Sequence, residues 1–200
     1  MHVEFLLEEP SAEAFLQGIV ARLLPEGTSC GFVVFQGKAD LLKNLESRLR
    51  AYRRWIPPEY RLVVLIDEDR QDCGELKARL EHAAAAAGLA TKSNPVGGEF
   101  FVLNRIAVEE LEAWFFGDVR ALSTAYPGVP TSLASKAAYR DPDAVAGGTW
   151  EALERVLQKA GHFKGGLSKI AVARELAKYM DPAVNRSSSF GHFVLGLAAL

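Results

Sequence analysis

Cysteine is scarce in this chain. Only Cys30 and Cys73 occur, with no CxxC pair and no Cys/His ligand spacing. Neither a zinc site nor a disulfide framework is expected, and a reducing cytoplasm suits the sequence. Long apolar runs are missing as well. No stretch is long enough to span a bilayer, and the segment Met1 to Pro10 meets acid after a few apolar residues without a basic leader, which speaks against a signal peptide and a membrane role. No charge dominates: 23 Lys and Arg face 25 Asp and Glu, for a net charge of −2. That balance excludes a protein built to coat nucleic acid, but it allows local contact with a polyphosphate chain. Gly97-Gly98 and Gly165-Gly166 lack a following Lys-Ser/Thr and any GxGxxG arrangement, so no nucleotide-binding loop is expected. His2, His82, His162 and His192 lie too far apart to form a spaced metal pair, and no nucleophile elbow supports a Ser-His-Asp triad.

What is present is an alternation of apolar runs and amphipathic segments. Residues 2–7 read as a buried strand ending in Glu8-Glu9-Pro10, followed by a helix capped by Ser11 with Phe15, Ile19, Val20 and Leu23 at helical spacing. A second strand is expected from Gly31 to Phe35 and a long helix from about Ala39 to Trp55, stopped by Pro57-Pro58. Arg61 to Asp67 is the strongest strand, apolar without alternation as a central parallel strand should be. A helix then runs to about Gly88. Phe100 to Leu103 reads as a fourth strand, and Glu109, Glu110 and Glu112 open the next helix, with Leu111, Trp114 and Phe115 on its core face. From about Ala125 only helical pattern remains. The expected architecture is a mostly parallel α/β sheet flanked by helices over residues 1–124, with a helical C-terminal extension over 125–200 packed on it as one structural unit.

Ligands of open α/β sheets bind beyond the carboxyl ends of the strands. That rule selects Glu8, Glu9, Gln36, Asp67, Asp69 and Asp72. Carboxylates gathered there repel one another, and protonation or a bound cation must relieve the repulsion. Mg²⁺ suits such a site because it takes one or two carboxylates and keeps exchangeable waters, and Mn²⁺ suits the same oxygens. The bland alternative is that Asp69 or Asp72 caps the next helix while Asp67 accepts backbone hydrogen bonds. Glu109, Glu110 and Glu112 have a bland reading too, as acids in a first helical turn. Lys136, Lys169 and Arg186 fall in polar or Gly-rich stretches of the extension, where each could neutralise a phosphate. The basic helix carrying Lys43, Arg48, Arg50, Arg53 and Arg54 could track phosphates or merely solvate its own face.

Two resemblances sharpen this reading. Leu7-Glu8-Glu9-Pro10-Ser11-Ala12 and Leu65-Ile66-Asp67-Glu68-Asp69 resemble the Toprim motifs, a strand-end glutamate and a later Asp-x-Asp. Glu9 stands where that pattern usually has Gly, and Ala12 where an Asp is common. The resemblance implies a Toprim-like fold, with Glu8 as metal ligand or general acid/base and Asp67 and Asp69 as metal ligands for phosphodiester chemistry. By analogy with the Toprim nucleases of the OLD type, it also implies Glu112 as a ligand of a second ion. Gln36-Gly37-Lys38, Asn104 to Ala107, Glu112-Ala113-Trp114, Asp118, Ser135-Lys136, Gly148-Thr149 and Arg186 to Phe190 resemble a bacterial Toprim-like family known as a domain of unknown function (number 4276). That family is associated with defence proteins.

The expectation is therefore a cytoplasmic Mg²⁺- or Mn²⁺-dependent phosphodiesterase, a nuclease in phage defence with nucleic acid as partner. A second reading is a noncatalytic effector or adaptor acting with a separate ATPase. A third makes Asp67 a phosphoacceptor nucleophile.

Overall fold

The computed structural model describes residues 1–200. Four strands, β1 (His2–Leu7), β2 (Ser29–Val34), β3 (Tyr60–Asp67) and β4 (Val102–Ala107), pair in parallel in the order β2-β1-β3-β4. Helices α1 (Pro10–Ile19), α2 (Lys38–Arg53) and α3 (Cys73–Ala86) supply the three crossovers. The chain is thus α/β, with an all-parallel sheet flanked by helices, an arrangement consistent with a Toprim-like fold. After β4 come α4 (Glu112–Gly117), α5 (Val119–Ala125), three single 3₁₀ turns between Thr131 and Ala144, then α6 (Thr149–Lys159), α7 (Lys169–Tyr179) and α8 (Ser188–Leu197). No helix is long and apolar enough to cross a membrane.

Alternation along the strands splits the apolar side chains between two cores. Leu6, Leu62, Val64, Ile66 and Val102 face Leu41, Leu45 and Leu49 of α2 and Leu76 and Leu80 of α3. Val3, Phe5, Leu7, Val63, Leu65 and Leu103 face the larger core, which also takes Phe15, Trp114, Phe116, Leu153, Leu176, Phe190 and Phe193. Residues of the extension therefore build the second layer of the sheet's own core. Each fully buried side chain of this size stabilises the fold by roughly 1.5–3 kcal/mol. Trp114 is fully buried, and its Nε1 donates to Ser189 Oγ at 2.8 Å, so the indole's one polar atom is satisfied.

Helix α7 lies along α1 and is fixed at its far end. A Cβ added at Gly18 would sit 2.6 Å from Ala177 Cβ, so only glycine permits this approach. Arg22 donates to the carbonyls of Ala177 and Met180 where α7 ends.

Three local expectations need correction. Helix α1 is entered from Glu9, with Pro10 at its first position. Ser11 makes no cap bond and instead donates its hydroxyl to the Glu9 carboxylate. The fourth strand begins and ends later than expected, at Val102–Ala107, with Asn104 and Arg105 inside it. Helix α4 starts at Glu112. Glu109 has a left-handed backbone (φ 60°), and both it and Glu110 lie in the turn before the helix.

Candidate functional site

In the strand order β2-β1-β3-β4 the chain reverses direction of winding between β1 and β3, so the ends of these two strands flank the crevice where such sheets bind ligands. Glu8 follows β1 and Asp67 ends β3. The Glu8 carboxylate accepts the Asp67 backbone N–H at 3.1 Å, tying the two strand ends together. The loop after β3 is stitched to the loop after β4: Glu68 N–H donates to Ala107 O, Asp69 N–H to Glu109 O, and Glu109 N–H to the Glu68 carboxylate at 3.1 Å. Asp69 and Arg70 (φ 49° and 62°) join Glu109 in left-handed conformations, so three of the chain's four non-glycine residues with positive φ stand at this edge. Non-glycine residues adopt this region at an energetic cost, which tends to concentrate at sites that must hold a fixed shape.

The charge here is lopsided. Asp67 is buried, and Glu112, at 1% exposure, is buried almost completely. Oε2 of Glu112 has no hydrogen-bond partner. Lys169, the first residue of α7, reaches in among these acids. Its ammonium stands 3.7 Å from Glu112 Oε1, 3.8 Å from Glu9 Oε1 and 4.0 Å from Glu110 Oε1, and 5.1 Å over the Trp150 ring. One ammonium cannot neutralise that set. Burial, with Glu112, Glu9 and Glu8 alongside, raises the Asp67 carboxyl well above its ordinary range. Burial pushes Glu112 up to about 7; Lys169 opposes the rise and Glu9 and Glu110 add to it. Glu8 is also raised, chiefly by burial, against the lowering effect of the Asp67 N–H and Lys38. Burial alone would lower Lys169, but Glu112, Glu9 and Glu110 more than reverse this and hold it charged.

The remaining residues lie around this centre. Asp69, nearly half exposed, pairs with Lys38 at 2.9 Å, and the same ammonium donates to Glu68 O. Asp69, Arg70, Glu109, Glu110, Gly148 and Glu151 line an open cavity of about 270 Å³ beside the cluster. Glu110 accepts from Trp150 N–H and Thr149 Oγ1, each at 2.8 Å, and so holds the start of α6. Asp72 accepts from Glu75 N–H and caps α3, the ordinary role weighed for it.

Glu8, Asp67 and Glu112 thus share one locality, with Asp69 at its rim. Lys169 joins the carboxylates themselves, whereas Lys136 and Arg186 lie elsewhere. Arg186 spends its guanidinium on the carbonyls of Ala134, Arg140, Phe116 and Tyr139. Sequence reasoning gave little weight to Glu9 and Glu110, and took Lys38 only as part of Gln36-Gly37-Lys38 and as the residue before a basic helix that could track phosphates. The signal for the first two was their place beside Glu8 and Glu112; Lys38 announces itself only through Gly37, whose φ of 88° turns the chain back toward Glu8.

No three acidic, imidazole or thiol side chains converge as a ready-made metal cage. A closed cage is not what Mg²⁺ requires, since one or two carboxylates plus waters and a substrate phosphate suffice. The unpartnered Glu112 Oε2 and the buried carboxyls crowded at this edge, whose charged forms burial and one another disfavour, fit a hard divalent cation there.

A family model described as a domain of unknown function (DUF4276) matches residues 7–198. Neither the curated proteins nor the solved structures hold a significant match.

Proposed function

The chain belongs to this domain-of-unknown-function family, and from that premise and its acidic edge we propose that it is a Mg²⁺- or Mn²⁺-dependent phosphodiesterase of Toprim type, a nuclease serving phage defence. The observation that carries the reading is the uncompensated carboxylate charge at the β1/β3 crevice, with Glu112 Oε2 left unpartnered. Asp67 and Glu112 would hold the cation, with Glu8 beside them and Asp69 at the rim. A bound divalent ion supplies charge neutralisation to a phosphate oxygen and lowers the pKa of water. Glu8, with its raised pKa and one oxygen fixed by the Asp67 N–H, can hold or release a proton at its other oxygen. Lys169 sets the electrostatic balance: it keeps Glu9 and Glu110 in place and is itself positioned to meet negative charge that develops on a bound phosphate.

Calorimetric titration with Mn²⁺ tests the reading, comparing the native chain with Asp67→Asn and Glu112→Gln variants, followed by oligonucleotide cleavage. Binding and cleavage lost together in folded variants support it. Full metal-dependent cleavage by Asp67→Asn would sink it. The adaptor reading draws on one observation, that Lys169 already sits among three carboxylates as a built-in cation. Absence of Mn²⁺ binding by the native chain, together with a copurifying ATPase, would favour that alternative.

A further inference from the structure

Helix α6 joins two pockets of opposite charge. Gly148 and Glu151 at its start line the acidic cavity, while Arg155, Val156, Lys159 and Ala160 at its end line a second cavity of about 400 Å³. Glu151, Arg155 and Lys159 are spaced by four residues and share one helix face. Opposite them, Lys136 and Tyr139 complete the second cavity. None of Lys136, Arg155 and Lys159 has a carboxylate within ion-pairing distance, and no side chain lining this cavity is acidic. In a chain of net charge −2, three unpaired cations facing one hollow are a local excess. The wall is also built rather than loose. Arg186 clamps the 134–140 segment through three carbonyls and ties it to a fourth, Phe116 O, and the Tyr139 ring stacks on Phe116 with centroids 5.1 Å apart.

We propose that this basic pocket binds the phosphate backbone of a nucleic-acid strand and delivers it along α6 to the acidic edge. The proposal deepens the phosphodiesterase reading and rests on it for what happens at that edge. At about 1.5 Å of rise per residue, Arg155 and Lys159 lie roughly 6 Å and 12 Å along the axis from Glu151. Tyr139 supplies a ring on which an unpaired base can stack. The acidic edge repels a strand unless a cation is bound, so in chelator the basic pocket carries the affinity.

The test is fluorescence anisotropy of a labelled single-stranded oligonucleotide with the full chain in EDTA, over a series of salt concentrations. The three cations lie on the surface, so the triple variant Lys136→Ala/Arg155→Ala/Lys159→Ala keeps its fold, which circular dichroism checks. It is expected to bind roughly tenfold or more weakly, and its salt slope to flatten by about 2, as loss of three single-strand phosphate contacts requires. The control Lys43→Ala/Arg48→Ala/Arg50→Ala on α2 is expected to bind like the native chain. Equal binding by the native chain and the pocket variant overturns the proposal. So does loss of binding in the α2 control alone, no binding by the native chain, or displacement of the strand by inorganic phosphate at the same phosphate concentration. If pocket-dependent binding is found but no divalent ion supports cleavage, this proposal stands and the phosphodiesterase reading falls.

Discussion

Two glutamates, Glu81 and Glu112, make opposite use of the same sheet. Each is a carboxylate drawn against the protein with a lysine beside it. Glu81, on α3, accepts from Thr91 Oγ1, Ser93 Oγ and Asn104 Nδ2 and pairs with Lys77 at 2.9 Å. Burial would raise it, but these partners together bring it below its ordinary value. Glu112 has more burial and fewer partners: one ammonium at 3.7 Å and an oxygen with none. Glu81 is a finished structural contact. Glu112 is left with an unpartnered oxygen, and under the proposed function a bound cation would complete it.

The sharpest way to break the comparison is through activity. Asp67→Asn, which keeps the shape and removes one charge, is expected to lower divalent-dependent cleavage by at least roughly a hundredfold, since even supporting residues around a metal cost about 10- to 100-fold. The same substitution removes a buried carboxyl that Glu112, Glu9 and Glu8 repel, so urea unfolding in chelator should show no loss of stability.

Next in size is Glu81→Ala. It strands the donors Asn104 Nδ2 and Thr91 Oγ1, leaving Lys77 only its bond to Asn104 O, and is expected to destabilise the fold by about 2–3 kcal/mol in urea melts, the usual penalty for orphaned buried donors. Mn²⁺ binding should be unchanged, which separates the two carboxylates cleanly.

Their pH dependences should carry opposite signs. Glu112 is raised from 4.5 to about 7, so the folded state binds its proton more tightly than the unfolded chain. Its contribution is therefore complete below the unfolded value and is lost as pH rises through about 7. Glu81 is lowered, so its contribution is present above the unfolded value and is lost as pH falls through its folded value. In chelator, Glu112→Gln should raise the unfolding free energy from urea melts at pH 8 by about 1–2 kcal/mol and leave it unchanged at pH 4. Glu81→Gln should alter the acid limb instead. An identical pH profile for both variants would erase the distinction.

The smallest effect concerns Lys169→Met. Removing the competing ammonium should tighten Mn²⁺ binding by a few-fold, about 1 kcal/mol, as measured by calorimetry. Weaker binding would mean that Lys169 organises the carboxylates rather than competing for them.

Much of this was legible in the sequence for a physical reason. A parallel strand covered on both faces is written as an unbroken apolar run; β3 reads that way from Leu62 to Ile66 and β1 over its last three residues, Phe5 to Leu7, so the residues after them fall at the crevice. β4 was shifted because Asn104 and Arg105 look like the end of a strand. They sit inside it because Asn104 Nδ2 reaches Glu81 and Arg105 Nε reaches His192 O at 2.9 Å. The late start of α4 follows from the left-handed backbone at Glu109, which no residue preference announces. Lys169 reaches Glu9 and Glu112 from the far side of the extension. Helical periodicity describes only which face of α7 is apolar, not which strand end its first residue will meet.

The clamp on the other end of that helix works as a depth stop. Gly18 and Arg22 fix α7 near Ala177 and Met180, about 12 to 16 Å along the axis from Lys169. A rigid rod held at one end transmits any shift of its seat to its tip. The balance of charge at the crevice is therefore adjustable from a position that touches none of it, and a single methyl group added at Gly18 would be read out as a change in how far one ammonium reaches.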